Sequence, residues 1–138
     1  MRAKDYLRKI EKLDMMIGQR ITELNQMRER LSILTGIDYS KDRIQATPSS
    51  GNKQIEEMAD FEAEILKMID DETTLKHRII AEIQILDNAL YVDILFRRYV
   101  KLQSFERIAC DMCYAYNYVC TVHGKALKAF EEQVLNLS

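Results

Sequence analysis

Four residues near the carboxyl end have the types and spacing of a metal site. Cys110, Cys113, Cys120 and His123 spell C-x2-C-x6-C-x2-H. Thiolate and imidazole are good zinc ligands, and a C-x2-C pair is a common half-site. The competing reading is an ordinary pair of helices. Cys110 falls on one short helix and Cys120 on the next, and a helix-turn-helix needs no metal to hold it. A tetrahedral site demands that all four side chains converge. Cys120 is expected on the outer flank of its helix, away from Cys110. The expectation is therefore no metal and no other cofactor.

The remaining reactive types are read in the same way. Glu62-Ala63-Glu64 and Asp70-Asp71-Glu72 could recruit a cation, but an acidic helix face in solvent accounts for them. His77 stands alone on a charged helix and reads as a solvated residue. The methionines recur at helical spacing and read as core filler. Tyr114, Tyr116 and Tyr118 could stack on bases; aromatics beside a turn more often pack locally, so Tyr114 is assigned to the core and Tyr116 to a partly exposed position. The chain shows no phosphate-cradling glycine loop, nucleophile–base pair or carboxylate dyad. No enzymatic activity is expected.

The cysteines and tyrosines sit in a segment with a pattern of its own. From Ser104 to Phe130 an acidic first turn leads into Ile108-Ala109. A break follows at Met112–Tyr114, and a second helix carries Val119, Val122, Ala126 and Phe130 on one side. This is the spacing of two short, steeply crossing helices, the second free to enter a major groove. Ser104 should cap the first through its hydroxyl, with Glu106 near the positive helix end. A short helix within 87–100 should precede it, ending at Lys101-Leu102-Gln103.

Two longer segments must position this unit. Over residues 3–34, Tyr6, Ile10, Leu13, Ile17, Ile21, Leu24, Met27, Leu31 and Leu34 recur at three- and four-residue steps, a coiled-coil rhythm. Gly18 is a weak point within it, and Gly36 is a plausible left-handed cap. Residues 37–52 hold Thr47-Pro48-Ser49-Ser50-Gly51-Asn52 and read as an exposed connection. Over 53–86, Met58, Phe61, Ile65, Met68, Leu75, Ile79, Ile83 and Leu86 keep the rhythm, interrupted by Glu72. The expected fold is all-α: a long antiparallel helical hairpin, coiled-coil-like, over 1–86, then a C-terminal helix-turn-helix bundle over 87–138. Leu66, Ile69, Ile80 and Ile85 are left over by a two-helix hairpin. They need either a homo-oligomer or C-terminal helices folded back upon them.

Charge and composition narrow the partners. Four Gly and one Pro disfavour a loop-rich or all-β chain. The net charge of −2 carries no global nucleic-acid signature. Its distribution is uneven: residues 1–52 carry +3, 53–90 carry −6 and 91–138 carry +1. Phosphate contact must therefore come from the ends. Three cysteines, no signal peptide and no membrane-length apolar run point to a reducing cytoplasm and no membrane partner.

Positions 90–130 resemble region 4 of sigma-70-type factors, which reads the −35 promoter element. The resemblance runs through Ile94-Leu95, Arg97-Tyr99, Ser104-Phe105-Glu106-Arg107-Ile108-Ala109 and Val119 to Phe130, and is closest over Val122-His123-Gly124-Lys125-Ala126-Leu127-Lys128. With its long helical N-terminal part, the chain is similar to a family of small sigma-region-4-like phage and prophage proteins of Gram-positive bacteria. That family is related to late-operon and autolysin regulators. The resemblance implies a bacterial-host cytoplasmic transcription regulator that binds double-stranded DNA, with RNA polymerase as a further partner. It implies a recognition helix starting near Ala115. Tyr116, Asn117, Cys120 and Thr121 would face the bases, and Arg97, Arg98, Lys101, Arg107, Lys125 and Lys128 would reach phosphates. Val119, Val122, Ala126, Leu127 and Phe130 would be core. Relatives carry basic or glutamine-like residues where Cys120 and Thr121 stand, and Gly where Cys113 stands. A left-handed Cys113 would cost roughly 1 kcal/mol. Two other roles compete: a small-terminase-like DNA-packaging adaptor, whose helix-turn-helix usually comes first rather than last, and a protein-interaction scaffold using the acidic 53–90 segment.

Overall fold

The computed structural model describes residues 2–35 and 52–136. All regular structure among them is helical, with no strand. The helices are α1 (Ala3–Leu7), α2 (Lys9–Thr35), α3 (Asn52–Ile83), α4 (Ala89–Leu95), α5 (Phe105–Met112) and α6 (Tyr116–Phe130). Gly36, the connection up to residue 51 and the side chain of Leu34 lie outside the described residues. The all-α class follows from the near absence of Gly and Pro and from long three- and four-residue apolar steps.

Along α2 every seventh residue is buried: Ile10, Ile17, Leu24 and Leu31. Along α3 and just beyond it the same spacing holds for Met58, Ile65, Glu72, Ile79 and Leu86. A strict seven-residue period is the signature of a coiled-coil seam. Ile21, expected in the stripe, is exposed instead. It lies off the seven-residue row, and an α-helix turns through too small an angle to keep every three-or-four step on one face. Glu72 occupies a seam position and is buried, its carboxylate 2.9 Å from the Lys76 ammonium one turn on. The interruption read in the sequence is thus a buried, paired charge.

By packing, the chain divides into two compact units whose boundaries fall inside α2 and α3. One unit is Asp14–Asp71. In it Leu24 and Leu31 of α2 pack with Ile55, Met58 and Ile65 of α3, flanked by Met27 and Phe61. Arg28 bonds Glu62 at 2.6 Å, while Leu31, further along α2, lines a shallow cleft with Gln54 and Met58, further back along α3. The two helices are therefore antiparallel. Met15, Ile33 and Leu66 stay exposed on this unit.

The other unit joins Met1–Leu13 to Glu72–Ser138. Its core combines Ala3, Tyr6 and Leu7 of α1 and Ile10 of α2 with Ile79, Ile83, Leu86, Leu95, Tyr99, Ala126 and Phe130. The C-terminal helices thus fold back onto the start of the chain, one of the two solutions open to the leftover apolar surface. Ile80 is half-buried as a result, whereas Ile85 remains exposed. The Tyr6 hydroxyl donates to the Glu82 carboxylate, tying α1 to α3. Burial first, and Glu82 second, push the Tyr6 phenol up to about 12, so it stays a donor.

Candidate nucleic-acid interface

The helix-turn-helix is built from α5, a three-residue turn and α6. The Ser104 hydroxyl accepts from the Arg107 amide at 3.1 Å, capping α5 as its sequence position indicates. Glu106 sits in the first turn of α5. At the other end Cys113 is left-handed, with φ 59° and ψ 39°. Its amide donates to the Cys110 carbonyl at 3.3 Å, and the Tyr114 amide donates to the Ala109 carbonyl at 3.0 Å. These two bonds satisfy two of the four terminal carbonyls of α5 and form a Schellman ending. Glycine adopts this backbone without a Cβ penalty. Cys113→Gly is therefore expected to raise stability by about 1 kcal/mol, measured by urea unfolding; a neutral or destabilising result would show that the Cys113 side chain contributes a compensating contact.

Ala115 precedes α6 without a side-chain cap. One side of α6 is fully committed: Val119, Val122, His123, Ala126 and Phe130 are buried, and Leu127 is half-buried. Val119 packs on Ile108 and Ala109 of α5 with Phe105 and Met112. The opposite side is open. Tyr116, Asn117, Thr121, Lys125 and Lys128 are exposed along it, with Cys120 half-exposed beside them. The Thr121 hydroxyl donates to the Asn117 carbonyl at 2.9 Å, one turn back.

Behind the open flank lies a buried polar pair. The Tyr99 hydroxyl is 2.7 Å from His123 Nε2. The Phe105 ring meets the imidazole edge-on, with centroids 4.7 Å apart. His123 thus ties α6 to α5 and to the segment following α4. Burial, with Arg98 and Lys4 adding to it, pushes the imidazole down to about 4. Burial pushes the Tyr99 phenol up to about 12. The neutral imidazole therefore accepts and the phenol donates, so the ring proton sits on Nδ1.

The segment before α5 departs from its expected form. Asn88 caps α4, its side chain accepting from the Leu90 and Tyr91 amides at 2.9 and 3.3 Å. After Leu95 the helix widens over Phe96–Val100, closed by a bond from the Lys101 amide to the Phe96 carbonyl at 3.0 Å. Leu102 is left-handed, with φ 58°. The Arg98 guanidinium donates to the Gln103 carbonyl at 3.0 Å and lies over the Phe105 ring, 4.9 Å from its centre.

The six cations proposed for phosphate contact divide accordingly. Lys101, Arg107, Lys125 and Lys128 are exposed. Arg107 lies 3.1 Å from Asp111 but keeps most of its side chain in solvent. Arg97 is largely withdrawn. Its Nε lies 3.2 Å from both Asp93 oxygens, and a terminal nitrogen lies 3.8 Å from Asp111. Arg98 is held by Gln103 and Phe105. Both arginines pin the segment after α4 to its surroundings rather than project from it. For Arg97 spacing could have indicated this, because Asp93 lies one turn back along the helix. Tyr114, expected in the core, is exposed. It packs on Tyr118 with centroids 5.1 Å apart, because the left-handed Cys113 turns the chain outward there.

The four residues of the apparent metal motif are not brought together. Cys110 and Cys113 are exposed, Cys120 is half-exposed and His123 is buried against Tyr99. Among the described residues no group of three or more His, Cys, Asp or Glu is placed to hold a metal ion. Among them, too, no helix is long and apolar enough to cross a membrane. Compared with known proteins, the chain matches no family, no curated sequence and no solved structure.

Proposed function

We propose that this chain is a DNA-binding transcription regulator of phage type that recognises promoter DNA through α6. The observation that carries the reading is the division of α6. Its inner side is wholly occupied by the protein's own core, while Tyr116, Asn117 and Thr121 on its outer side are exposed. A short helix set on a rigid α5 support, with a neutral hydrogen-bonding flank and lysines further along, has the geometry of a major-groove reader. The resemblance of positions 90–130 to sigma region 4 supports the same reading.

In this mechanism Lys101, Arg107, Lys125 and Lys128 contact phosphates and set the register of α6 on the duplex. Asn117 and Thr121 then touch base edges, with Tyr116 and Cys120 beside them. Four exposed cations on a chain of net charge −2 provide little of the charge-driven affinity that DNA binding uses. Docking on RNA polymerase, or self-association, supplies the rest through effective concentration. Exposed Met15, Ile33 and Leu66 favour self-association through the long helices.

Asn117→Ala is expected to weaken specific binding by about 1–3 kcal/mol and to leave non-specific binding unchanged. A low-salt mobility-shift titration against a selected duplex and a random one reads both. No change in either would remove Asn117 from base recognition. Mass in solution with and without DNA separates the competing roles: a ring of many subunits favours a packaging adaptor, and a chain that never retains DNA favours a protein-interaction scaffold.

A further inference from the structure

If α6 is a recognition helix, its side chains also indicate which base pairs it reads. From Tyr116 to Gly124 the helix carries no Asp, Glu, Lys or Arg; its first charge is Lys125. In the major groove guanine presents two acceptors, filled by Arg or Lys, and cytosine presents an amino donor, matched by Asp or Glu. The flank offers neither partner where Asn117, Cys120 and Thr121 stand. The Asn117 carboxamide holds a donor and an acceptor in one plane, the complement of adenine N6 and N7. Thr121 has its hydroxyl proton directed to the Asn117 carbonyl. It therefore has no donor for guanine O6 or N7, and is left with a lone pair and a methyl group. A methyl group suits the C5 methyl of thymine.

We propose that the outer flank of α6 reads A·T pairs, with Asn117 on the N6/N7 edge of an adenine and Thr121 against the methyl of a neighbouring thymine. This rests on the DNA-binding reading above, and it makes Asn117 and Thr121 determinants of specificity rather than of affinity alone. Lys125 and Lys128 lie one and two turns beyond Thr121 and hold the flanking phosphates whatever the sequence.

The test uses the full chain at low salt and labelled duplexes that differ only in a central tract, A·T-only or G·C-only, read by fluorescence anisotropy. The A·T duplex is expected to bind at least roughly fivefold tighter, the lower end of what one bidentate base contact discriminates. Replacing the central adenines with 7-deazaadenine, or the thymines with uracil, is expected to erase most of that preference. Those changes remove the N7 acceptor and the methyl while leaving the minor groove alone. Asn117→Arg, at an exposed position, is expected to fold with unchanged helical content and to shift the preference toward guanine. Equal binding to all duplexes, a G·C preference, or an A·T preference untouched by either base analogue overturns the inference while leaving DNA binding in place. Failure to bind any duplex overturns the DNA-binding reading itself.

Discussion

Replacing Phe130 with alanine is expected to cost about 3–5 kcal/mol of folding stability. Phe130 is the last residue of α6 and is wholly buried. Its ring stacks on Tyr6 of α1, with centroids 6.0 Å apart and planes 30° apart. The same buried cluster holds Leu7, Ile10, Ile79 and Leu95, so truncation opens a cavity inside a core to which four other helices contribute. Rigid helices cannot all move in to fill it, which places the cost in the upper range for large-to-small changes. Urea unfolding should show a lower midpoint with an unchanged slope. Hydrogen exchange should show α1 losing protection before α3, because α1 is only five residues long and depends on this contact. A loss below about 1 kcal/mol would mean that α1 is not seated against α6.

The second large effect is acid destabilisation through His123. In the folded protein burial pushes its imidazole down to about 4, against the ordinary value of 6.5 in the unfolded chain. Between those values the unfolded chain binds a proton that the folded protein refuses. Stability from this group is therefore complete above pH 6.5 and falls as pH drops toward 4, by about 3 kcal/mol in all. Protonation also reverses the bond: Nε2–H would donate to the Tyr99 oxygen, and the buried phenol proton would lose its acceptor. Carboxylates titrate in the same window, so the measurement is a difference. His123→Phe should lose stability at neutral pH, yet its stability should fall less between pH 6.5 and 4 than that of the unaltered chain. Parallel pH curves for the two proteins would show that the imidazole charges without consequence. A ring titration followed by NMR near 6.5 would show the same thing directly.

What could be read from the sequence was local. Ser104 followed by Glu106 marks the start of α5 because the cap and the dipole act within one turn. The break at Met112–Tyr114 and the buried row Val119, Val122, Ala126 and Phe130 are fixed by helical spacing alone. The left-handed residue at Cys113 was legible as a position where the chain must turn, although nothing about cysteine announces it. Leu102 was not legible. Its conformation is set by the widened turn at Phe96–Val100 and by Arg98 reaching Gln103, neither of which has a local signature. The pairing of Arg97 with Asp93 was legible as a one-turn spacing, but its second partner, Asp111 on α5, is brought near only by packing. The Tyr99–His123 bond joins residues 24 apart in sequence, and only the packed core brings them together. The open flank of α6 is the complement of its apolar row and was legible for that reason.

Ala3, Tyr6 and Leu7 form one wall of the core whose opposite wall is Ala126 and Phe130. Two segments far apart along the sequence are therefore buried against one another. Loop closure over so long a separation slows their meeting relative to local helix formation. Packing of α5 on α6 through Ile108, Ala109 and Val119 needs only neighbouring sequence and is expected early, whereas the seating of Phe130 against α1 is expected to be a late step.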